Sequence, residues 1–163
     1  MDGAGSRAGL QQQVVALLPD LRGFARFLAR DPVAADDLVQ DAVLRAFKAL
    51  DQFQPGTNLK AWLFTILRNQ FYEQRRRARR ETAVMAEFAE TDTPVTSNQH
   101  ERSEVADLQV LIFRLPPLLR EALILIGAQG LTHEEAAAIC SVPVGTMKAR
   151  LFRARAQLVT MTG

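Results

Sequence analysis

The sequence predicts an all-α protein of two small helical modules joined by a flexible linker, and three observations carry that expectation. Apolar residues recur at three-four spacing along most of the chain, and no strand-like alternation is sustained. One central stretch, 81–103, loses that periodicity and is rich in Thr, Ser, Asn and acidic residues, the composition of a segment with little intrinsic structure. Turn chemistry at Asp31-Pro32, at 51–58, at Pro116-Pro117 and at Gly130 divides the remainder into helix-sized pieces. A length of 163 residues suits one ordinary domain or two small ones, here expected at 10–80 and 104–161.

The elements follow in order. Val14, Leu17, Leu18, Leu21, Phe24, Ala25 and Leu28 form the face of a first helix. Asp31 is placed as an N-cap, with Pro32 at the first helical position, where its missing N–H costs nothing. Leu38, Ala42, Ala46, Phe47 and Leu50 mark the buried side of the second helix, opposite Asp36, Asp37, Gln40 and Asp41. After the loop 51–58, a third helix runs from Leu59 to about Arg80 and turns Ala61, Trp62, Leu63, Ile66, Leu67 and Phe71 inward. These three helices make the core of the first module.

Beyond the linker, Leu108, Leu111, Ile112 and Leu115 give a helix that ends at Pro116-Pro117. The very apolar run 118–128 follows, with Gly130 suited to a left-handed terminus. Thr132 and Glu135 have the spacing of a capping box at the head of a short helix. After the turn Cys140-Ser141-Val142-Pro143, a last helix points Met147, Leu151, Ala154 and Leu158 inward and its basic residues outward.

Several function classes have no support. Hydrophobic residues make up 48%, enough for a core, yet no run approaches 18 uncharged apolar residues, so no transmembrane helix is expected. The first ten residues lack the apolar stretch of a signal peptide, which together points to the cytoplasm. The single cysteine, Cys140, excludes an intrachain disulfide and a multi-cysteine zinc site. His133-Glu134-Glu135 is not a zinc-protease motif, because Ala137 stands where the second His belongs. His133 and His100 read as solvated. Without a P-loop or a glycine-rich dinucleotide motif, nothing indicates an enzyme, a cofactor, a metal or a small-molecule substrate.

Charge is more informative by segment than in total. The formal net charge is +2. Residues 60–80 hold Lys60 and six arginines against Glu73, a net of +6, and residues 81–107 hold seven acids against Arg102, a net of −6. The last helix is basic again. Two basic blocks attract polyanions, while the acidic stretch avoids them.

The two basic blocks have separate designs. In the C-terminal half, a short helix, a tight turn and a longer basic helix describe a helix-turn-helix, whose second helix enters the major groove by its N-terminal end. The residues at that end are Val144, Gly145, Thr146, Lys148 and Ala149, followed by Arg150. Arg and Lys there can pair with guanine edges, whereas Arg153 and Arg155, further along, suit phosphates. In the N-terminal half, Arg68, Asn69, Tyr72, Arg75 and Arg76 recur at three-four spacing on one helix face. Arg and Asn can hydrogen-bond bases, and Tyr can stack on an unpaired one. Arginines in the last turns also complement the helix dipole, which accounts for the same run without DNA. Trp62 reads as core, Phe53 as core or contact. The acidic face of the second helix lacks any His or Cys partner, which leaves a solvated or protein-docking face rather than a metal site.

The motifs ADDLVQDAVLRAF, FQPGTNLKAWLFTILRNQFY, LPPLLREALILIGAQGLTHEEAAAIC and VGTMKARLFRAR, in this order, resemble an extracytoplasmic-function sigma factor of the sigma-70 family over nearly the whole chain. They are similar in particular to the branch that controls the general stress response of alphaproteobacteria. The resemblance implies that the first module is region 2 and the second region 4. It implies that Asp36, Asp37, Gln40 and Asp41 dock on core RNA polymerase. The loop 54–58 with Asn58, and the helix with Lys60, Arg68, Asn69 and Tyr72, would open and read the minus-ten element of promoter DNA. Thr146, Lys148, Ala149, Arg150 and Arg153 would read the minus-thirty-five element as duplex. A small anti-sigma protein is a further implied partner. A linker of about 25 residues spans roughly 25–30 Å when relaxed. Promoter elements two duplex turns apart lie about 70 Å from each other. The linker therefore bridges them only when extended, as it would be on a polymerase.

Two positions depart from the family pattern. Ser141 stands where the turn often has Gly, and Pro143 where a Ser-like cap is usual. Two rival readings are a sigma-like decoy that sequesters an anti-sigma protein and a stand-alone helix-turn-helix regulator. The first has little use for a basic recognition helix; the second leaves the block 60–80 and the acidic linker without a role.

Overall fold

A computed structural model describes residues 3–84 and 104–162. The described residues are helical, with no strand. The order is α1 (Gly3–Ala16), α2 (Leu18–Ala29), α3 (Pro32–Lys48), a single 3₁₀ turn (Leu50–Gln52), α4 (Leu59–Val84), α5 (Glu104–Arg114), α6 (Pro117–Ala122) continuing into a π-helical stretch (Leu123–Ala128), α7 (His133–Cys140) and α8 (Val144–Thr162).

The first predicted helix is two. Pro19 falls at the second position of α2 and cannot donate to the carbonyl of Val15, so the chain breaks at Leu17. The apolar face survives the break, because Val14, Leu21, Phe24, Ala25 and Leu28 are all buried. Asp31 caps α3 as expected, its carboxylate accepting from the Ala34 amide at 3.2 Å, with Pro32 opening the helix. Leu38, Ala42, Ala46 and Leu50 face inward. Gly56 turns the loop 54–58 with φ 89, a conformation that favours glycine.

The centre of the first module is a stacked pair. The Phe24 and Phe64 rings lie 4.9 Å apart and nearly parallel, wrapped by Leu21, Leu38, Leu63 and Leu67. Full burial of each such side chain contributes about 1.5–3 kcal/mol. Phe53 is core, buried beside the partly buried Trp62 ring at 5.4 Å. α4 extends to Val84, four residues into the stretch expected as linker. The remainder of that stretch, with His100, lies outside the described residues.

In the second half, α5 ends before Pro116, and Arg120 repairs the break. Its guanidinium donates to the carbonyls of Ile112, Phe113 and Leu115 at 3.0–3.3 Å. Those carbonyls lost their helical partners when the chain turned. Leu108 is exposed rather than buried, since α5 packs through Ile112 and Leu115. The run 118–128 is not a plain α-helix. It widens into π geometry at Leu123, and Gly130, at φ 70, lets Leu131 return its amide to the Leu125 carbonyl at 3.0 Å. The Thr132–Glu135 capping box forms in both directions. Ser141 ends α7 in the left-handed region, φ 56 and ψ 45, the place where glycine would be free of strain.

The two halves are in contact. α4 packs on α7, α2 on α6, and one apolar cluster runs from Phe24 and Leu67 into Ile124, Leu125 and Ile139. Phe27 stacks on Phe113 at 5.3 Å, and Arg30 sits over the same Phe113 ring while donating to the Phe113 carbonyl at 2.6 Å.

Candidate nucleic-acid interface

The α7–turn–α8 unit has the form of a helix-turn-helix. Met147, Leu151 and Ala154, at four- and three-residue steps, anchor α8 and leave its other side to solvent. Thr146, Lys148, Ala149 and Arg153 are exposed on that side, and Arg150 is half-buried. Phe152 is 75% exposed beside them, one helical turn from Lys148 and Ala149. An aromatic ring left in water on a basic face is the clearest addition to the residues read from sequence. The inward set Met147, Leu151, Ala154 and Leu158 already leaves Phe152 on the outward side, which is the signal that points to it. Apolar side chains in the major groove contact thymine methyls, so the face offers both hydrogen-bonding and apolar readout.

The α4 face is arranged differently from expectation. Asn69, Arg75 and Arg76 are exposed, whereas Arg68, Tyr72 and Lys60 are partly buried and turned toward the second half. Arg68 Nε donates to the Glu121 carboxylate at 2.9 Å, and the Tyr72 hydroxyl donates to the other oxygen of the same carboxylate. The Arg68 guanidinium also covers the Tyr72 ring at 4.5 Å. Lys60 Nζ donates to the Gln129 carbonyl at 2.8 Å and lies 3.4 Å from Asp20. Asn58 caps α4, accepting from the Ala61 amide at 3.2 Å, and donates its amide to the Glu135 carboxylate.

Electrostatics follow from this enclosure. Burial alone would lower the Arg68 pKa, but the Glu121 charge, with a smaller contribution from Cys140, outweighs it and the guanidinium is held more firmly charged. The Tyr72 hydroxyl is pushed well above its ordinary value, by burial first and by Glu121 second. Cys140, whose Sγ is 3.6 Å from Glu121, is pushed up to about 12 by burial, so it is an unreactive thiol. Sequence spacing gave no sign of Glu121, because its partners are 53 and 49 residues away. Beside this cluster, a cleft of about 280 Å³ opens between the halves, with Phe27 and Phe71 in its walls and Arg75, Arg79 and Arg120 among its linings.

On α3, Asp36, Asp37, Gln40 and Asp41 are all exposed on one side of the helix. No basic side chain bridges them within 4.0 Å among the described residues. Nor does any group of three or more His, Cys, Asp or Glu among those residues have the arrangement of a metal site.

Comparisons with known proteins agree in both halves. Residues 14–81 match the family model Sigma-70 region 2, and residues 106–158 match Sigma-70, region 4. The chain is 45% identical over 150 residues to the ECF RNA polymerase sigma factor EcfG of Rhodopseudomonas palustris, covering 91% of this chain and 82% of that one. In structure it is similar to the sigma factor RpoE of Bartonella quintana, solved in complex with the anti-sigma factor NepR. The TM-score is 0.80 at 41% identity, over 92% of this chain and 94% of that one. It is also similar to CnrH in complex with the cytosolic domain of CnrY. There the TM-score is 0.67 at 29% identity, over 93% and 85%.

Proposed function

The chain belongs to the sigma-70 family as an RNA polymerase sigma factor of the extracytoplasmic-function type, and from this we propose that it directs core polymerase to stress-response promoters. The observation that carries the reading is the exposed basic start of α8 behind a capped helix-turn-helix, in the half that matches region 4.

The work divides among the helices. The acidic side of α3, with Asp36, Asp37, Gln40 and Asp41, docks on a basic surface of core polymerase. The 54–58 loop and α4 meet the minus-ten element, where Asn58, Lys60, Arg68, Asn69 and Tyr72 hold unpaired bases and Arg75 and Arg76 hold phosphates. Extruding a base costs a few kcal/mol, which stacking and a pocket must return. Thr146, Lys148, Ala149 and Arg150 meet base edges of the minus-thirty-five duplex, with Arg153 on its backbone. The residues 81–103 connect the modules 10–80 and 104–161, with α4 reaching into the start of that connection. Bond making stays with core polymerase, and this chain supplies recognition and melting.

A small anti-sigma protein is the partner expected to hold the factor inactive, by similarity to RpoE, which is solved in complex with the anti-sigma factor NepR. Among the described residues no helix is long and apolar enough to cross a membrane. We assign the chain to the cytoplasm, where its polymerase and promoters are. The test is run-off transcription with purified core polymerase on a stress-type promoter. A specific transcript that requires this chain is expected; none with active core overturns the reading.

A further inference from the structure

We infer that the chain carries its own latch: Glu121, Glu135 and the Gln129 carbonyl of the second module occupy side chains at the head of α4 and along it that would otherwise hold promoter DNA. The inference rests on the reading of α4 given above and adds a regulation to it.

Four of the residues assigned to the minus-ten element are engaged at once. Arg68 and Tyr72 converge on the two oxygens of Glu121, Asn58 on Glu135, and Lys60 on the Gln129 carbonyl. Glu121 thus takes up the very donors of Arg68 and Tyr72 that would otherwise meet unpaired bases. With the halves closed in this way, single-stranded DNA and the second module compete for the same donors.

The arrangement is built to open. Glu121 is only 4% exposed when closed. Its hydrogen-bond partners among the described residues are Arg68 and Tyr72 across the seam and Cys140 in its own module. Separation returns both charges of the pair to water, so the desolvation cost of the closed state is recovered as the contact is lost. Removing one partner alone has the opposite balance, because it leaves a half-buried cation without a counter-charge and favours opening. The apolar seam through Leu67 and Ile139 holds the halves together, and the polar cluster fixes which α4 side chains are covered.

The test uses the full chain and two readouts. Small-angle scattering reports closure, and fluorescence anisotropy reports binding of a labelled 12-nucleotide single strand from the non-template strand of a stress-type promoter. Glu121→Gln and Glu121→Ala are expected to expand the particle while keeping native helicity. They should also raise affinity for the single strand by about tenfold, since binding is reduced by the fraction of chains that are open. The swap of Arg68→Glu with Glu121→Arg is expected to restore the compact state. An unchanged radius of gyration in both Glu121 variants overturns the latch, even where wild-type run-off transcription upholds the sigma-factor reading. Expansion with no gain in single-strand affinity overturns the inhibition and the DNA-binding role of the α4 face together.

Discussion

Asn58 at the head of α4 donates its side-chain amide to Glu135, 77 residues further along, while that same carboxylate accepts from the Thr132 amide at 2.9 Å to complete the α7 cap. One side chain thus serves a local cap and a contact between halves. The Thr132 backbone N–H is the largest influence holding the Glu135 carboxyl below its ordinary pKa, against a smaller opposing effect of burial, with the Asn58 amide adding to the lowering. A depressed folded-state pKa gives stability that is present above the unfolded value and is lost as pH falls through the folded one. Thermal melts from neutral pH down to about pH 3 should therefore fall more steeply for the wild type than for Glu135→Gln. Parallel curves for the two proteins would contradict the role given to this carboxylate.

Ser141→Gly should stabilise the second module. Ser141 bears a Cβ at φ 56, where a side chain costs roughly 1 kcal/mol that glycine avoids. Urea unfolding should show a raised midpoint at unchanged slope. A lowered midpoint would mean that the hydroxyl contributes more than the backbone strain removes.

Arg150→Ala should weaken promoter use by about 1–3 kcal/mol on promoters with an intact upstream element and have little effect where that element is scrambled. Run-off transcription on the two templates distinguishes loss of base readout from a general loss of phosphate attraction. Equal losses on both would reassign Arg150 to the DNA backbone.

The pair Asp36→Lys and Asp37→Lys should abolish capture of core polymerase while leaving helicity and melting temperature close to wild type. Both positions are exposed on α3 and bear none of the buried face. Undiminished pull-down of core polymerase would remove the docking role from this surface.

What the sequence revealed was mostly local. Asp31 three residues before Ala34, Thr132 three before Glu135, and Gly130 after an apolar run each settle their own turn with neighbours in the chain. Pro19 was equally visible, yet the apolar stripe through Leu17 and Leu18 masked the break it imposes. Leu108 had the right spacing for a core residue and is exposed, because periodicity gives a face and not what covers it. The π geometry after Leu123 leaves no simple spacing signature, since apolar residues occupy nearly every position there. The Arg68–Glu121–Tyr72 cluster was out of reach for a stronger reason: it exists only once two distant segments meet. Their spacing on α4 puts Arg68 and Tyr72 on one face, and carries no sign of the carboxylate they meet.

The anchoring of Phe53 beside Trp62 has a thermodynamic consequence for anything that binds the loop 54–58. With Phe53 buried, Gly56 turned and Thr57 Oγ1 donating to the Gln54 carbonyl at 2.7 Å, that tip is ordered before it meets a ligand. Freezing a five-residue loop on contact would cost on the order of 5–10 kcal/mol in backbone entropy. Here that loss falls on folding, where the hydrophobic core offsets it. Recognition at the tip is therefore expected to show a small entropic penalty and a fast, nearly rigid approach.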